Sequence, residues 1–267
     1  MKAAPARLLI VAGSDSSGGA GIQADIKTAT ALGVYAMTAV TAVTVQDTIR
    51  VHTIHLIPPS IIGEQIACVL ADIGADAIKI GMLGSVDAVD AVADALEAHG
   101  SGIPIVLDPV LVSSSGTSLL SNDAIIRLKD RLLPLTDLLT PNIPEAECLT
   151  GAALGSRDDM LRAADALRGM GAEAVLIKGG HAPGSPVRDI LVSQEGIDEF
   201  EYPRVPTRST HGTGCTLASA IACELAQHRP LVDAVRVARS FVQTAIETAP
   251  DFGHGRGPLN QLHAIRH

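Results

Sequence analysis

Short runs of β-branched and other apolar residues alternate along this chain with longer amphipathic stretches, and that alternation is what most limits its fold. Leu8–Val11 reads as a first strand and Gly19–Leu32 as a helix. Ala36–Val45 is β-rich and laden with Thr, and Val51–Ile57 is a further strand. Pro58-Pro59 opens a helix over Ser60–Ile73, because the first helical turn has no use for the N–H that proline lacks. Next come a strand at Ala77–Ile80 and a helix over Val86–Ala98 that ends at Gly100. Ile103–Leu107 is a strand and Asn122–Leu132 a helix. Leu138–Thr140 is a short strand, followed by a helix from about Pro144 to Leu149. Arg157–Met170 is a helix that stops at Gly171, and Ala174–Lys178 is a strand. Val187–Val192 and Glu199–Tyr202 read as a hairpin, and Thr213–Ala226 and Leu231–Thr248 as the last long helices. This order predicts an α/β fold, a mostly parallel central sheet in a three-layer αβα sandwich. No linker, repeat or low-complexity tract interrupts it, so residues 1–267 are expected to form one domain.

The interior has to be built from Ala, Val, Ile and Leu. The aromatic residues are only Tyr35, Phe200, Tyr202, Phe241 and Phe252, and there is no Trp. Such a core suits strands buried on both faces. A net charge of −9 and the lack of aromatic platforms argue against nucleic-acid binding. A small-molecule partner is expected, and phosphates would need local cations or a metal. Cys68, Cys148, Cys215 and Cys223 lack zinc-finger or CxxC spacing and read as free thiols of a cytoplasmic protein. The run Leu8–Val11 is too short for a signal peptide or a membrane span.

Polar residues gather where strands end. Gly13-Ser14-Asp15, Lys79-Ile80-Gly81-Met82, Asp108-Pro109-Val110, Thr140-Pro141-Asn142 and Lys178-Gly179-Gly180-His181 each follow an apolar run. In a parallel sheet those ends share one edge, where ligands bind. Thr210-His211-Gly212-Thr213-Gly214-Cys215-Thr216 joins them at the start of a helix. Its two glycines let backbone N–H groups converge at the positive end of the helix dipole, which makes an anion hole. Read alone, the heptad is equally a Gly-rich turn with a small buried cysteine. The loop Gly13–Asp25 fits neither the G-x-G-x-x-G dinucleotide fingerprint nor a P-loop.

Taken together, these motifs closely resemble the hydroxymethylpyrimidine/phosphomethylpyrimidine kinases of thiamine biosynthesis, a family of the ribokinase-like superfamily. The loop Gly13–Asp25, Gln46-Asp47-Thr48, Lys79–Leu83, Asp108–Val110, Thr140–Ala146, Lys178–His181 and the heptad carry the resemblance, which runs from about Leu8 to about His263. It implies a ribokinase-like fold, ATP and Mg²⁺ as co-substrate and cofactor, and phosphorylation of 4-amino-5-hydroxymethyl-2-methylpyrimidine, then of its monophosphate. It also implies a homodimer. Pyridoxal kinase of the same superfamily is the nearest rival, and a dual-specificity enzyme lies between the two. A non-catalytic nucleotide-binding protein would bind ATP without turnover.

Residue roles follow from chemistry and resemblance together. Gln46 offers an amide to the edge of an aminopyrimidine, and Asp25 is expected at the ring's polar edge. Ala20, Met82 and Val110 are expected to wall the ring, although plain core packing explains Met82 and Val110 as well. Asp108 and Glu145 are expected to serve a phosphate-bound metal ion. Asn142, Lys178 and Thr210 are expected at the nucleotide. Gly212, Thr213 and Gly214 would hold the transferring group. Cys215 stands where many ribokinase relatives have an Asp base. A helix N-terminus lowers a thiol pKa, so partial thiolate character is expected, with Cys215 as base or hydrogen-bond partner. Asp47 departs from the Asn of many relatives and Ser114 from a Lys of some, while His181 and His211 read as supporting or turn residues.

Overall fold

The computed structural model describes residues 4–112, 119–181 and 186–265. The elements follow in the order β1 (Arg7–Asp15), α1 (Gly21–Ala31), β2 (Tyr35–Gln46), β3 (Val51–Leu56), α2 (Pro59–Asp72), β4 (Ala77–Ile80) and α3 (Val86–His99). They continue with β5 (Ile105–Leu107), α4 (Asn122–Arg131), β6 (Leu138–Leu139), α5 (Ile143–Thr150), α6 (Arg157–Gly169) and β7 (Ala174–Ile177). The hairpin β8 (Val187–Ser193) and β9 (Gly196–Tyr202) precedes α7 (Thr213–Ala226) and α8 (Leu231–Glu247).

All nine strands form one sheet in the order β3-β2-β1-β4-β5-β6-β7-β8-β9. The centre, from β2 to β7, is parallel, and β3, β8 and β9 are antiparallel additions at the two edges. β1 shows how the layers arise. Leu9 and Val11 face one core with residues of α2 to α6, and Leu8, Ile10 and Ala12 face a second core with α7 and α8. Successive side chains on a strand point to opposite faces, so an unbroken apolar run is buried twice over. The result is the expected three-layer α/β sandwich. No helix among the described residues is long and apolar enough to cross a membrane.

The main departure lies in β1, which runs on to Asp15 instead of ending at Val11. Its parallel pairing with β2 shifts register between Ala12 and Ser14 and then resumes, Ser14 opposite Val43 and Asp15 opposite Thr44. A bulge re-aims the strand beyond it. Gly13-Ser14-Asp15 is therefore held in the sheet and not in a free loop. β5 starts two residues late, at Ile105, after Pro104, which has no N–H to give the ladder. β9 starts earlier than expected, because a tight turn places Gly196 (φ 135°) directly opposite Ser193.

Candidate active site

The carboxyl ends of β1, β4, β5, β6 and β7 meet the N-terminus of α7. Asp108 follows β5 and is buried; its Oδ1 accepts from Lys178 Nζ at 2.7 Å and from Thr140 Oγ1 at 3.2 Å. Lys178 follows β7, and its backbone N–H donates to the Pro141 carbonyl at 2.9 Å, which locks the two loop starts together. Burial alone would lower the Lys178 pKa, but Asp108 and Glu145 outweigh it and hold the value above the ordinary lysine range. Val110 has φ 37°, an expensive backbone for a β-branched residue, costing about 1–3 kcal/mol. The strain falls directly beside Asp108.

α5 opens with a capping box. Asn142 Oδ1 accepts from the Glu145 N–H at 2.9 Å, and Glu145 Oε2 accepts from the Asn142 N–H at 2.8 Å. Glu145 is buried, and burial lifts its pKa against the pull of Lys178. Among the described residues no group of three or more His, Cys, Asp or Glu could hold a metal ion by itself. A phosphate-borne Mg²⁺ fits this donor set, because it keeps its waters and needs only one or two carboxylates.

α7 begins at Gly212, whose φ of 82° is left-handed; a Cβ there would collide with the Gly19 carbonyl. Gly214 presents bare backbone, and a Cβ on it would lie 3.2 Å from Asp108 Oδ2 and 3.3 Å from Lys178 Nζ. The helix start thus sits against the Asp108–Lys178 pair. Its first-turn N–H groups have no intrahelical partner, as at any helix start. Thr213 Oγ1 donates to the carbonyl of Thr210, which is itself exposed.

Cys215 is partly open to this crevice, and protein atoms surround its sulfur. Burial pushes its pKa up to about 11; Lys79 pulls it down, while Asp25 and Asp108 raise it. The expected thiolate character is therefore corrected: in this setting burial outweighs the helix dipole and the group is a thiol at neutral pH. Asp25 also lies elsewhere than expected. It is fully buried, with Oδ2 2.9 Å from Lys79 Nζ and Oδ1 accepting from Ser219 Oγ at 2.7 Å. Ser219 is one helical turn below Cys215, so Asp25 supports the start of α7 from inside and has no surface to offer a ring. Lys79 is held charged despite complete burial, chiefly by the carboxylates of Asp25 and Asp108. A lysine inside the apolar strand Ala77–Ile80 was the sequence signal for this pair.

On the other flank, Met82 packs with Ala42 and Leu119, and Val110 lies against them. A cavity of about 390 Å³ opens beside Met82, lined also by Ile54, Leu56 and Leu119. Ala20 precedes α1 and donates its N–H to Asp15 Oδ2 at 2.9 Å. Gln46, at the end of β2, exchanges hydrogen bonds with Ser16 through its backbone. Asp15 is buried, and His211 Nε2 stands 2.7 Å from its Oδ2. Burial would raise the Asp15 pKa, but the bonds from His211 and Ser17 win and hold it below the usual carboxylate value. The structure thus gives His211 a specific partner that the sequence did not reveal. Ser114 lies outside the described residues, and so does the side chain of His181. Asp47 is exposed and caps its own turn through Ile49 and Arg50, with His52 Nε2 2.7 Å away.

A further segment was also missed. Gly253–Pro258 straps the β2–β3 loop to the heptad: the Arg256 N–H donates to the Thr48 carbonyl at 2.8 Å, and the His211 N–H to the Gly257 carbonyl at 3.0 Å. The closely spaced glycines were its signal, since a Cβ at Gly253 or Gly255 would collide with Thr48.

Comparison with known proteins is consistent along the whole chain. The family model described as phosphomethylpyrimidine kinase matches residues 15–260. The hydroxymethylpyrimidine/phosphomethylpyrimidine kinase of Bacillus subtilis is 42% identical over 257 residues, covering 96% of this chain and 94% of that protein. The thiamine biosynthesis bifunctional protein of Geobacter sulfurreducens is 46% identical over 255 residues; 96% of this chain matches, spanning only 52% of that longer protein. The crystal structure of phosphomethylpyrimidine kinase from Clostridium difficile has a TM-score of 0.81 at 39% identity, covering 90% of this chain and 99% of that one. The pyridoxal kinase of Staphylococcus aureus in complex with ADP has a TM-score of 0.91 at 32% identity, covering 99% of this chain and 96% of that one.

Proposed function

The chain belongs to the phosphomethylpyrimidine kinase family, and from that premise we propose that its crevice moves the γ-phosphoryl group of ATP onto the hydroxymethyl oxygen of 4-amino-5-hydroxymethyl-2-methylpyrimidine, with ADP leaving and the hydroxyl proton passing to water. The monophosphate then accepts a second phosphoryl group to give the diphosphate used in thiamine synthesis. The observation that carries this reading is the start of α7, Gly212 to Cys215, set against the Asp108–Lys178 pair.

Phosphoryl transfer is mainly a matter of position and charge stabilisation. Backbone N–H groups of Gly214 and Cys215 hold the equatorial oxygens of the transferring group. Lys178 meets phosphate oxygens, and Asn142 and Thr210 border the nucleotide. Asp108 and Glu145 would hold a phosphate-borne Mg²⁺, which would offset phosphate charge when bound. Gln46 takes the polar edge of the ring, with Met82, Val110 and Ala20 as its walls. Cys215 hydrogen-bonds the acceptor oxygen as a thiol; a loose transition state makes little demand on a strong base. Exposed apolar residues on β2 and β3 support a homodimer.

The test is mass spectrometry of the products from hydroxymethylpyrimidine, ATP and Mg²⁺. Monophosphate followed by diphosphate is the expected sequence; monophosphate alone removes the second step, and no product removes the reading. The likeness to the pyridoxal kinase supports a side activity, so pyridoxal is the second acceptor to assay, with pyridoxal phosphate as the expected minor product.

A further inference from the structure

Thr44, Gln46, His211 and Asp15 form a hydrogen-bond chain whose polarity can be worked out from either end. Asp15 is a buried carboxylate that already accepts from the N–H and hydroxyl of Ser17 and from the Ala20 N–H. It can only accept, so His211 Nε2, 2.7 Å away, carries a hydrogen and donates it. This holds for the neutral Nε2–H ring and for the cation alike. The Gln46 side chain reaches the same ring nitrogen. With Gln46 Nε2 turned toward it, the two nitrogens stand 3.3 Å apart, donor against donor. A half-turn of the amide replaces that clash with an acceptor oxygen.

The other end of the amide gives the same answer independently. Thr44 Oγ1 lies 3.0 Å from the Ser14 carbonyl oxygen, which takes its one hydrogen. It lies 3.2 Å from the far end of the Gln46 amide and has only a lone pair left to offer there. That end is therefore the NH₂ group. One orientation removes both like-with-like contacts: Oε1 toward His211, where it shares the Nε2 hydrogen with Asp15, and Nε2 toward Thr44.

We infer that the Asp15–His211 pair fixes the direction of the Gln46 amide, which makes His211 a positioning residue that sets acceptor specificity. The inference rests on the reading of this crevice as a kinase site for hydroxymethyl heteroaromatic rings. The His211 ring has little room to turn, because Gly19 is pressed against it and a Cβ there would collide with Cδ2. One lone pair on Oε1 and one hydrogen on Nε2 remain for a ligand, in fixed order. An aminopyrimidine edge sets a donor amino group beside an acceptor ring nitrogen and pairs with such an amide at two points. A pyridine ring with a hydroxyl between carbon neighbours offers a single polar atom to the same amide. The oriented Gln46 adds a second hydrogen bond that only the aminopyrimidine completes.

The test measures kcat/KM of the full-length enzyme for hydroxymethylpyrimidine and for pyridoxal, with ATP and Mg²⁺. Asp15→Asn and His211→Phe should each lower the preference for the pyrimidine about tenfold, the worth of one hydrogen bond in a site. KM for ATP should stay within about twofold, and His211→Gln, which keeps an N–H donor, should recover most of the preference. Equal losses for both acceptors mean that the pair is scaffolding alone and overturn the inference. A ¹⁵N spectrum of wild-type His211 needs no variant: a hydrogen on Nε2 is expected, and a bare Nε2 overturns the inference even if the substituted proteins do not fold. Failure of the wild-type enzyme to turn over either acceptor strikes the functional reading instead, and is seen separately from any change in the ratio.

Discussion

Cys215 is pulled in two directions, by Lys79 toward the thiolate and by burial, Asp25 and Asp108 toward the thiol. The thiol wins, so no thiol inflection should appear in the pH–rate profile between about pH 6 and 9. In a Cys68→Ser/Cys148→Ser background, which removes the exposed cysteines, alkylation of Cys215 should accelerate toward pH 11 and show no plateau near neutrality. Cys215→Ala should lower kcat about tenfold, the worth of one hydrogen bond to the acceptor oxygen, and Cys215→Asp, which keeps a hydrogen-bonding group there, should recover part of it. An unchanged turnover number in the Ala variant removes Cys215 from the chemistry. Residue by residue, the sequence exposed the charged groups but not their depth. Asp108, Glu145 and Lys178 fall together as their strand-end positions imply. Asp25 reads from its spacing as a ligand group, yet the fold turns it inward onto Lys79, because helix phase and not sequence distance decides which way a side chain points.

α7 depends on one backbone choice at its start. Gly212→Ala should abolish activity and lower stability, since the residue is left-handed and its Cβ would strike the Gly19 carbonyl. Gly33 has a similar φ, 74°, but open space around it, so Gly33→Ala should cost only about 1–2 kcal/mol of strain and leave turnover intact. Thermal melting and ATP turnover on the two variants separate conformation from close approach. Among the elements, α7 and β4 carry the bounds expected from apolar periodicity, while the ends of β1 and β9 do not. Their true limits are set by pairing partners, Val43 and Thr44 for β1 and the tight turn at Gly196 for β9, and one strand's composition holds no record of its neighbour. The strap at Gly253–Pro258 escaped notice for the same reason. It has no periodicity, only glycines whose use becomes plain once Thr48 stands against them.

At the scale of the whole molecule, the sheet buries its central strands and leaves apolar side chains exposed near one edge. Val43 and Val45, two residues apart and so on one face of β2, are both exposed beside the edge strand β3. A second copy of the chain covering this pair is the expected arrangement. Sedimentation equilibrium should give twice the 27.5 kDa chain mass, and Val43→Glu/Val45→Glu should return it to one; a wild-type monomer at micromolar concentration rejects the dimer. The interior sets a different constraint. Lys79 and Asp25 face each other fully buried, where removing one partner leaves the other without its counter-ion at a cost of about 3–5 kcal/mol. The two positions are bound to a common fate: a change at one weakens the fold unless the other changes with it.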